Sequence, residues 1–109
     1  MDIDRELLKG SISLLLLNLL TRGEMYGYEI LQEASRRSAQ AFEFKEGTLY
    51  PALHQLEKKG HIQAQWRTGD NGRERKYYSL TSKGKKAARE YERQWQHLTG
   101  AVNAVLGSE

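Results

Sequence analysis

The sequence predicts a mainly α-helical fold with one small β-hairpin, and three observations carry that expectation. Apolar residues recur at helical spacing in four segments. Asn71-Gly72 stands between two alternating runs, which is a strong hairpin pattern. At 109 residues the chain has room for one core, since domains typically run to about 100–150 residues.

The first helix is expected from about Asp4 to Arg22, with Gly23 as its C-terminal stop. At about 100° per residue, Leu8, Ile12, Leu15, Leu16 and Leu19 fall on one sector and Leu7, Ser11, Leu14 and Asn18 on another. A small domain can hardly cover both sectors, so the second points to a partner subunit. The second helix is expected from Tyr26 to Ser38, with Gly27, Ile30, Leu31 and Ala34 inward. Gly27 lowers helix propensity, and close backbone packing is the reason to keep it. Residues 39–45 read as a connector in which Phe42 and Phe44 point inward by alternation.

A third helix, Thr48 to Lys59, buries Leu49, Leu53 and Leu56 and ends at Gly60. Pro51 is tolerated if Thr48 is the N-cap, because it then lies in the first turn. The exposed side carries Thr48, Tyr50, Pro51, His54 and Gln55. Strands follow at Ile62–Arg67 and Arg73–Leu80, with Arg67, Arg73, Arg75 and Lys76 in or beside the hairpin. Tyr77 and Tyr78 alternate faces, so one belongs to the core. Thr81 caps a last helix to about Leu106, on which Ala88, Tyr91, Trp95, Leu98, Val102 and Val105 are spaced 3-4-3-4-3. That is a heptad seam suited to another helix. Packing back onto its own domain is the rival reading, and the second sector of the first helix favours pairing between subunits.

Charge narrows the function. Net charge is +3, but residues 61–90 hold 8 Lys/Arg against 3 Asp/Glu, while residues 1–60 hold 8 against 9. A localised basic stretch on a balanced chain suits phosphate attraction, and a plain solvated face is the alternative. No cysteine is present, so disulfides and thiolate chemistry are excluded. His54 and His61 flank Glu57, but Gly60 ends the helix between them and His97 stands alone. No metal site, cofactor or catalytic residue is expected, and neither is an enzyme. The apolar run Ile12–Leu20 is shorter than the roughly 20 residues of a bilayer span. Acidic Asp2, Asp4 and Glu6 around Arg5 do not suit a secretory signal, so a cytoplasmic protein without membrane contact is expected.

Three helices, a basic hairpin and a further helix are in the order of a winged helix-turn-helix, whose third helix enters the major groove while the wing reaches the flanking backbone. The expected division is residues 1–81 as the winged helix-turn-helix and 82–109 as a C-terminal dimerisation helix, forming one compact unit. Thr48, His54 and Gln55 have the short polar groups that base edges require. Tyr50, Lys45 and the wing cations suit phosphates. Each has a plainer reading: Tyr50 as a half-buried packing residue, His54 and Gln55 as solvated, the wing cations as ordinary hairpin surface.

The segments Met25-Tyr26-Gly27-Tyr28-Glu29-Ile30, Glu46-Gly47-Thr48-Leu49-Tyr50-Pro51-Ala52-Leu53, Leu56-Glu57 with Gly60, and Arg75-Lys76-Tyr77-Tyr78 with Leu80-Thr81 and Gly84 resemble the phenolic-acid decarboxylase regulator (PadR) family. The chain is most similar to short members with a single C-terminal dimerisation helix. The resemblance implies a homodimeric, mostly repressing DNA-binding protein on a palindromic operator, often released by a small aromatic or cationic effector. It places Thr48, Tyr50 and Pro51 in the recognition helix and Arg73, Arg75 and Lys76 in the wing. Glu74 departs from the consecutive basic residues usual there and weakens phosphate attraction locally. The candidate DNA-contacting set is Tyr26, Lys45, Thr48, Tyr50, Pro51, His54, Gln55, Arg67, Arg73, Arg75 and Lys76. An effector pocket is expected where Trp95 meets Leu7, Ser11, Leu14 and Asn18, an apolar surface with two polar handles; a plain core tryptophan is the alternative. Rival functions are a dimeric protein adaptor, which steep salt dependence of duplex binding would separate from a DNA-binding protein, and an effector-blind regulator.

Overall fold

The computed structural model describes residues 3–107. In chain order these form α1 (Arg5–Lys9), α2 (Ile12–Leu20), β1 (Met25–Tyr26), α3 (Gly27–Arg37), α4 (Glu46–Lys58), β2 (Ile62–Thr68), β3 (Glu74–Leu80) and α5 (Ser82–Leu106). The antiparallel sheet has the order β1-β3-β2. The core gathers Leu16, Leu17 and Leu20 of α2, Ile30 and Ala34 of α3, Leu49, Leu53 and Leu56 of α4, with Ile62, Tyr78 and Ala88.

The single first helix expected from periodicity is two helices. Asp4 caps α1 by accepting from the Glu6 N–H (2.8 Å), and the chain turns out of helix at Gly10. Ser11 closes that turn: its hydroxyl and its N–H both donate to the Leu8 carbonyl, at 2.8 and 3.0 Å. Its own carbonyl then accepts from Leu15 to start α2. Glycine lowers the barrier to such a break, and a serine that bonds its local backbone favours it. Leu16 and Leu17 are both fully buried, so α2 is enclosed by α3, α4, α5 and β3 of its own chain. Of the second sector, Ser11 is buried, Leu14 and Asn18 are half-buried and Leu7 is exposed.

A third strand also departs from expectation. Met25 and Tyr26 pair with Tyr78 and Tyr77, so Tyr26 precedes α3 as its N-cap instead of opening it. Glu29 secures the junction by accepting from the Tyr26 N–H (3.1 Å). α3 ends in two successive left-handed residues, Ala39 (φ 50°) and Gln40 (φ 66°), held by the Gln40 N–H on the Ser35 carbonyl (2.7 Å). The Ser38 hydroxyl accepts from the Phe42 N–H (2.9 Å), after which Phe42 and Phe44 stack, half-buried, with centroids 5.8 Å apart.

α4 begins two residues earlier than predicted. Lys45, in extended conformation, is the N-cap, and its carbonyl accepts from Thr48 (2.9 Å) and Leu49 (3.0 Å). Thr48 is thus inside the helix and does not cap it. Pro51 consequently lies beyond the first turn, where its ring nitrogen cannot donate to the Gly47 carbonyl.

The β2–β3 hairpin runs in register from Ile62↔Leu80 to Thr68↔Glu74. Its tip is closed by Gly72 N–H to Gly69 carbonyl (2.9 Å), with Gly72 at φ +76°, a conformation that favours glycine. Tyr78 is the core tyrosine of the Tyr77-Tyr78 pair. Thr81 joins wing to α5 as predicted, accepting from the Gly84 N–H (3.0 Å), donating its hydroxyl to the Gly60 carbonyl (2.6 Å) and its N–H to the His61 carbonyl (3.1 Å). Gly84 lies so close to this junction that a Cβ would meet the His61 carbonyl oxygen at 1.8 Å. The first half of α5 packs on α2 and β3, while Leu98, Val102, Val105 and Leu106 are exposed.

Candidate nucleic-acid interface

The start of α3, Tyr50 of α4 and the wing, with Glu74 among its residues, line an open cleft of about 740 Å³. Its floor is aromatic. The Tyr26 ring meets Tyr77 edge-on at 5.4 Å, and the Arg75 guanidinium lies 4.6 Å above the Tyr26 ring. Such a cation–π contact orients the guanidinium while leaving its N–H groups free to donate. Tyr50 reaches across from α4 onto the first turn of α3. A Cβ at Gly27 would fall 2.3 Å from the Tyr50 hydroxyl oxygen, so close packing is indeed what glycine permits there.

The wing cations are not equivalent. Arg67 pairs with Glu24, and Lys76 approaches Glu57 at 3.9 Å. Arg73 and Arg75 have no carboxylate within ion-pair distance among the described residues. Two of four cations are thus available outright and two must leave a carboxylate. Burial, and then the Glu57 carboxylate, push the Tyr78 phenol above its ordinary value, so it stays neutral beside Lys76. On α4, Thr48, Tyr50, Pro51, His54 and Gln55 are exposed, and Lys45 is exposed at its start. Donors for phosphate oxygens therefore flank a helix face carrying hydroxyl, imidazole and amide groups, the arrangement that positions a duplex and reads its base edges.

Of the residues expected at this surface, Tyr26, Tyr50, Arg73, Arg75 and Lys76 line the cleft, whereas Lys45, Thr48, Pro51, His54 and Gln55 are exposed on α4 or at its start, outside the lining, and Arg67 lies outside it on Glu24. Sequence reasoning missed Tyr28 and Trp66, which line the same cleft, and Glu24 and Glu57, which hold the two paired cations. Trp66 was readable from alternation, because it follows Ile62 and Ala64 on one strand face and runs past the last core layer. The carboxylates carried no local pattern, since Glu24 reaches Arg67 across 43 positions.

The expected effector surface is only partly assembled. A groove of about 450 Å³ brings Trp95, Tyr91, Gln94 and Leu98 of α5 against Gly10, Ser13 and Leu14. Ser11 is buried with its hydroxyl on Leu8, Asn18 accepts from Arg22 (2.9 Å) and lies at other cavities, and Leu7 is 74 % exposed away from the groove. The break at Gly10 takes Leu7, on α1, out of the helical phase that Leu14 and Asn18 still share on α2. Leu14 and Trp95 remain, with Ser13 and Gln94 as the polar groups. Of the seam on α5, Ala88 is 5 % exposed inside its own core and Tyr91 packs on that core, whereas Trp95, Leu98, Val102 and Val105 face outward. Among the described residues no cluster of three acidic or histidine side chains could hold a metal ion, and no helix is long and apolar enough to cross a membrane.

Comparison with known proteins bears on this geometry. Residues 16–90 match the transcriptional regulator PadR-like family. A transcriptional regulator of Mycobacterium tuberculosis is 34% identical over 105 residues, covering 96% of this chain and 92% of that one. Among solved structures, a transcriptional regulator from Clostridium thermocellum superposes with a TM-score of 0.84 at 29% identity, covering 94% of this chain and 96% of that one. A PadR family transcriptional regulator from Eggerthella lenta gives 0.82 at 32% identity, covering 95% and 88%.

Proposed function

The chain belongs to the PadR-like family of transcriptional regulators, and from that premise we propose that it acts in the cytoplasm as a homodimeric repressor of a palindromic operator, released by a small aromatic or cationic effector. The observation that carries this reading is the cleft in which Arg73 and Arg75, neither of them in an ion pair among the described residues, lie with Tyr50 of α4 and the start of α3. In this reading α4 enters the major groove, with Thr48, His54 and Gln55 toward base edges and Pro51 exposed beside them within the helix. Tyr26, Lys45, Tyr50, Arg67, Arg73, Arg75 and Lys76 hold phosphates on either side.

Dimerisation rests on Trp95, Leu98, Val102 and Val105, an apolar stripe along the half of α5 that its own domain leaves exposed. Two-fold pairing along it would present two α4 helices to two half-sites. The groove at Trp95 adjoins the same stripe, so an aromatic compound stacked on the indole would bias the separation of those helices, provided it prefers the arrangement that does not fit DNA. Selection of bound sequences from a random duplex pool tests the reading. A palindromic consensus is expected. No enrichment would overturn the DNA-binding role, and a single half-site without symmetry would overturn the dimeric one.

A further inference from the structure

Trp66 is 64 % exposed, although the strand face that carries it takes Ile62 and Ala64 into or against the core. Register explains the exposure: Ala64 pairs with the buried Tyr78, and Trp66 pairs one step further out with Lys76, beyond the last covered layer. Tyr28, 61 % exposed on the first turn of α3, lines the same cleft. Two uncovered aromatic rings therefore share a cleft with Arg73, Arg75 and Lys76 against the single carboxylate Glu74, on the surface assigned above to DNA.

The charge of that cleft selects a polyanion, while its rings select flat apolar faces. A strand of duplex DNA offers both, since each phosphate is separated from the next by a deoxyribose whose carbon face is apolar. We infer that Trp66 is a DNA-contacting residue whose indole packs on the deoxyribose faces of the strand lying between wing and α4, with Tyr28 making the corresponding contact from α3. The inference rests on the DNA-binding reading and adds a component of affinity that the cations cannot supply. Phosphate contacts release counterions and weaken as salt rises, whereas apolar packing on a sugar releases none.

Salt series on the full chain test it, with a mixed-sequence duplex as probe. Trp66→Ala is expected to weaken binding about tenfold at every salt concentration, leaving the slope of log affinity against log salt parallel to that of the original protein. Trp66→Phe, which keeps a flat apolar face, is expected to retain most of the affinity. Arg75→Ala is expected to behave differently, flattening the slope by about one. Tyr28→Ala, on a separate element, is expected to repeat the parallel loss, so that a folding defect confined to the wing cannot mimic it. Coincidence of Trp66→Ala with the original protein at matched salt would overturn the inference alone, as would a flattened slope, which would mean that the indole acts by holding a cation. Failure of the unaltered chain to bind the duplex at any salt would instead overturn the DNA-binding reading beneath it.

Discussion

Replacing Gly84 by alanine should destabilise the protein although it improves helix propensity. The added Cβ would fall 1.8 Å from the His61 carbonyl oxygen and 2.8 Å from its carbon, and the nearest atoms are backbone. Real Cβ contacts do not fall below 3.0 Å, so α5 and the start of β2 must separate by about 1.2 Å. That separation breaks two hydrogen bonds across the joint, Thr81 N–H to His61 and Thr81 hydroxyl to Gly60, at about 1 kcal/mol each. Overpacking strain adds about 1–3 kcal/mol, and the gain in propensity returns about 1 kcal/mol. The net expectation is a loss of about 2–4 kcal/mol, or about 10–25 °C in Tm for a domain of this size. Gly100→Ala is the matched control, because the same helix there has open space around the added methyl and the site lies opposite the apolar stripe. Thermal denaturation at one fixed protomer concentration should show Gly100→Ala melting at or above the unaltered protein and Gly84→Ala far below it. Equal melting temperatures for the two variants would refute the reasoning.

Three further outcomes are expected. Burial, then Lys83 and Lys59, hold the His61 imidazole below its ordinary value, and its Nδ1 is buried with no hydrogen-bond partner among the described residues. The unfolded chain then binds this proton more readily, so stability should decline as pH falls below about 6.5, and His61→Gln should flatten that decline in pH-dependent urea melts. Charged residues at both Leu98 and Val102 should convert dimer to monomer in sedimentation equilibrium while leaving the helical content intact, because both side chains are outside the domain's own core. Gln55→Ala should relax preference at one or two base pairs of a selected consensus, with a loss of roughly 1–3 kcal/mol on the preferred site, and an unchanged consensus would remove Gln55 as a reader.

Elements with strong periodic or turn chemistry were legible in the sequence. Leu49, Leu53 and Leu56 placed the buried face of α4, Asn71-Gly72 placed the hairpin, and Thr81 placed the start of α5, because each depends on neighbours a few positions away. The failures arise from local breaks that apolar spacing masks and from contacts that distant residues decide. Apolar spacing continues on both sides of Gly10 and Ser11 and masks the break that the glycine and the serine bonded to the Leu8 carbonyl make there. Met25 and Tyr26 are too few to announce a strand and become one only because β3 presents a free edge. A threonine three residues before a proline suggested a cap, but the extended Lys45 starts α4 instead. At the candidate interface the cations were readable as a charge cluster, while their pairing with Glu24 and Glu57 was not, since it is settled only after folding.

That pairing has a kinetic consequence. A chromosome offers about 10⁶–10⁹ competing sites of arbitrary sequence, all bearing the same phosphates. If every wing cation stood ready, each wrong site would hold the molecule as long as electrostatics allowed. Because Arg67 and Lys76 already rest on Glu24 and Glu57, phosphate contact at those two positions would exchange one anion for another, less favourable by about 0–1 kcal/mol for each exposed pair given up. On the DNA-binding reading, residence on arbitrary sequence would shorten accordingly, while the face of α4 that would distinguish one sequence from another is untouched. The two glutamates would thus act as a release spring in the search, letting the molecule leave wrong addresses sooner and sample more of them per unit time.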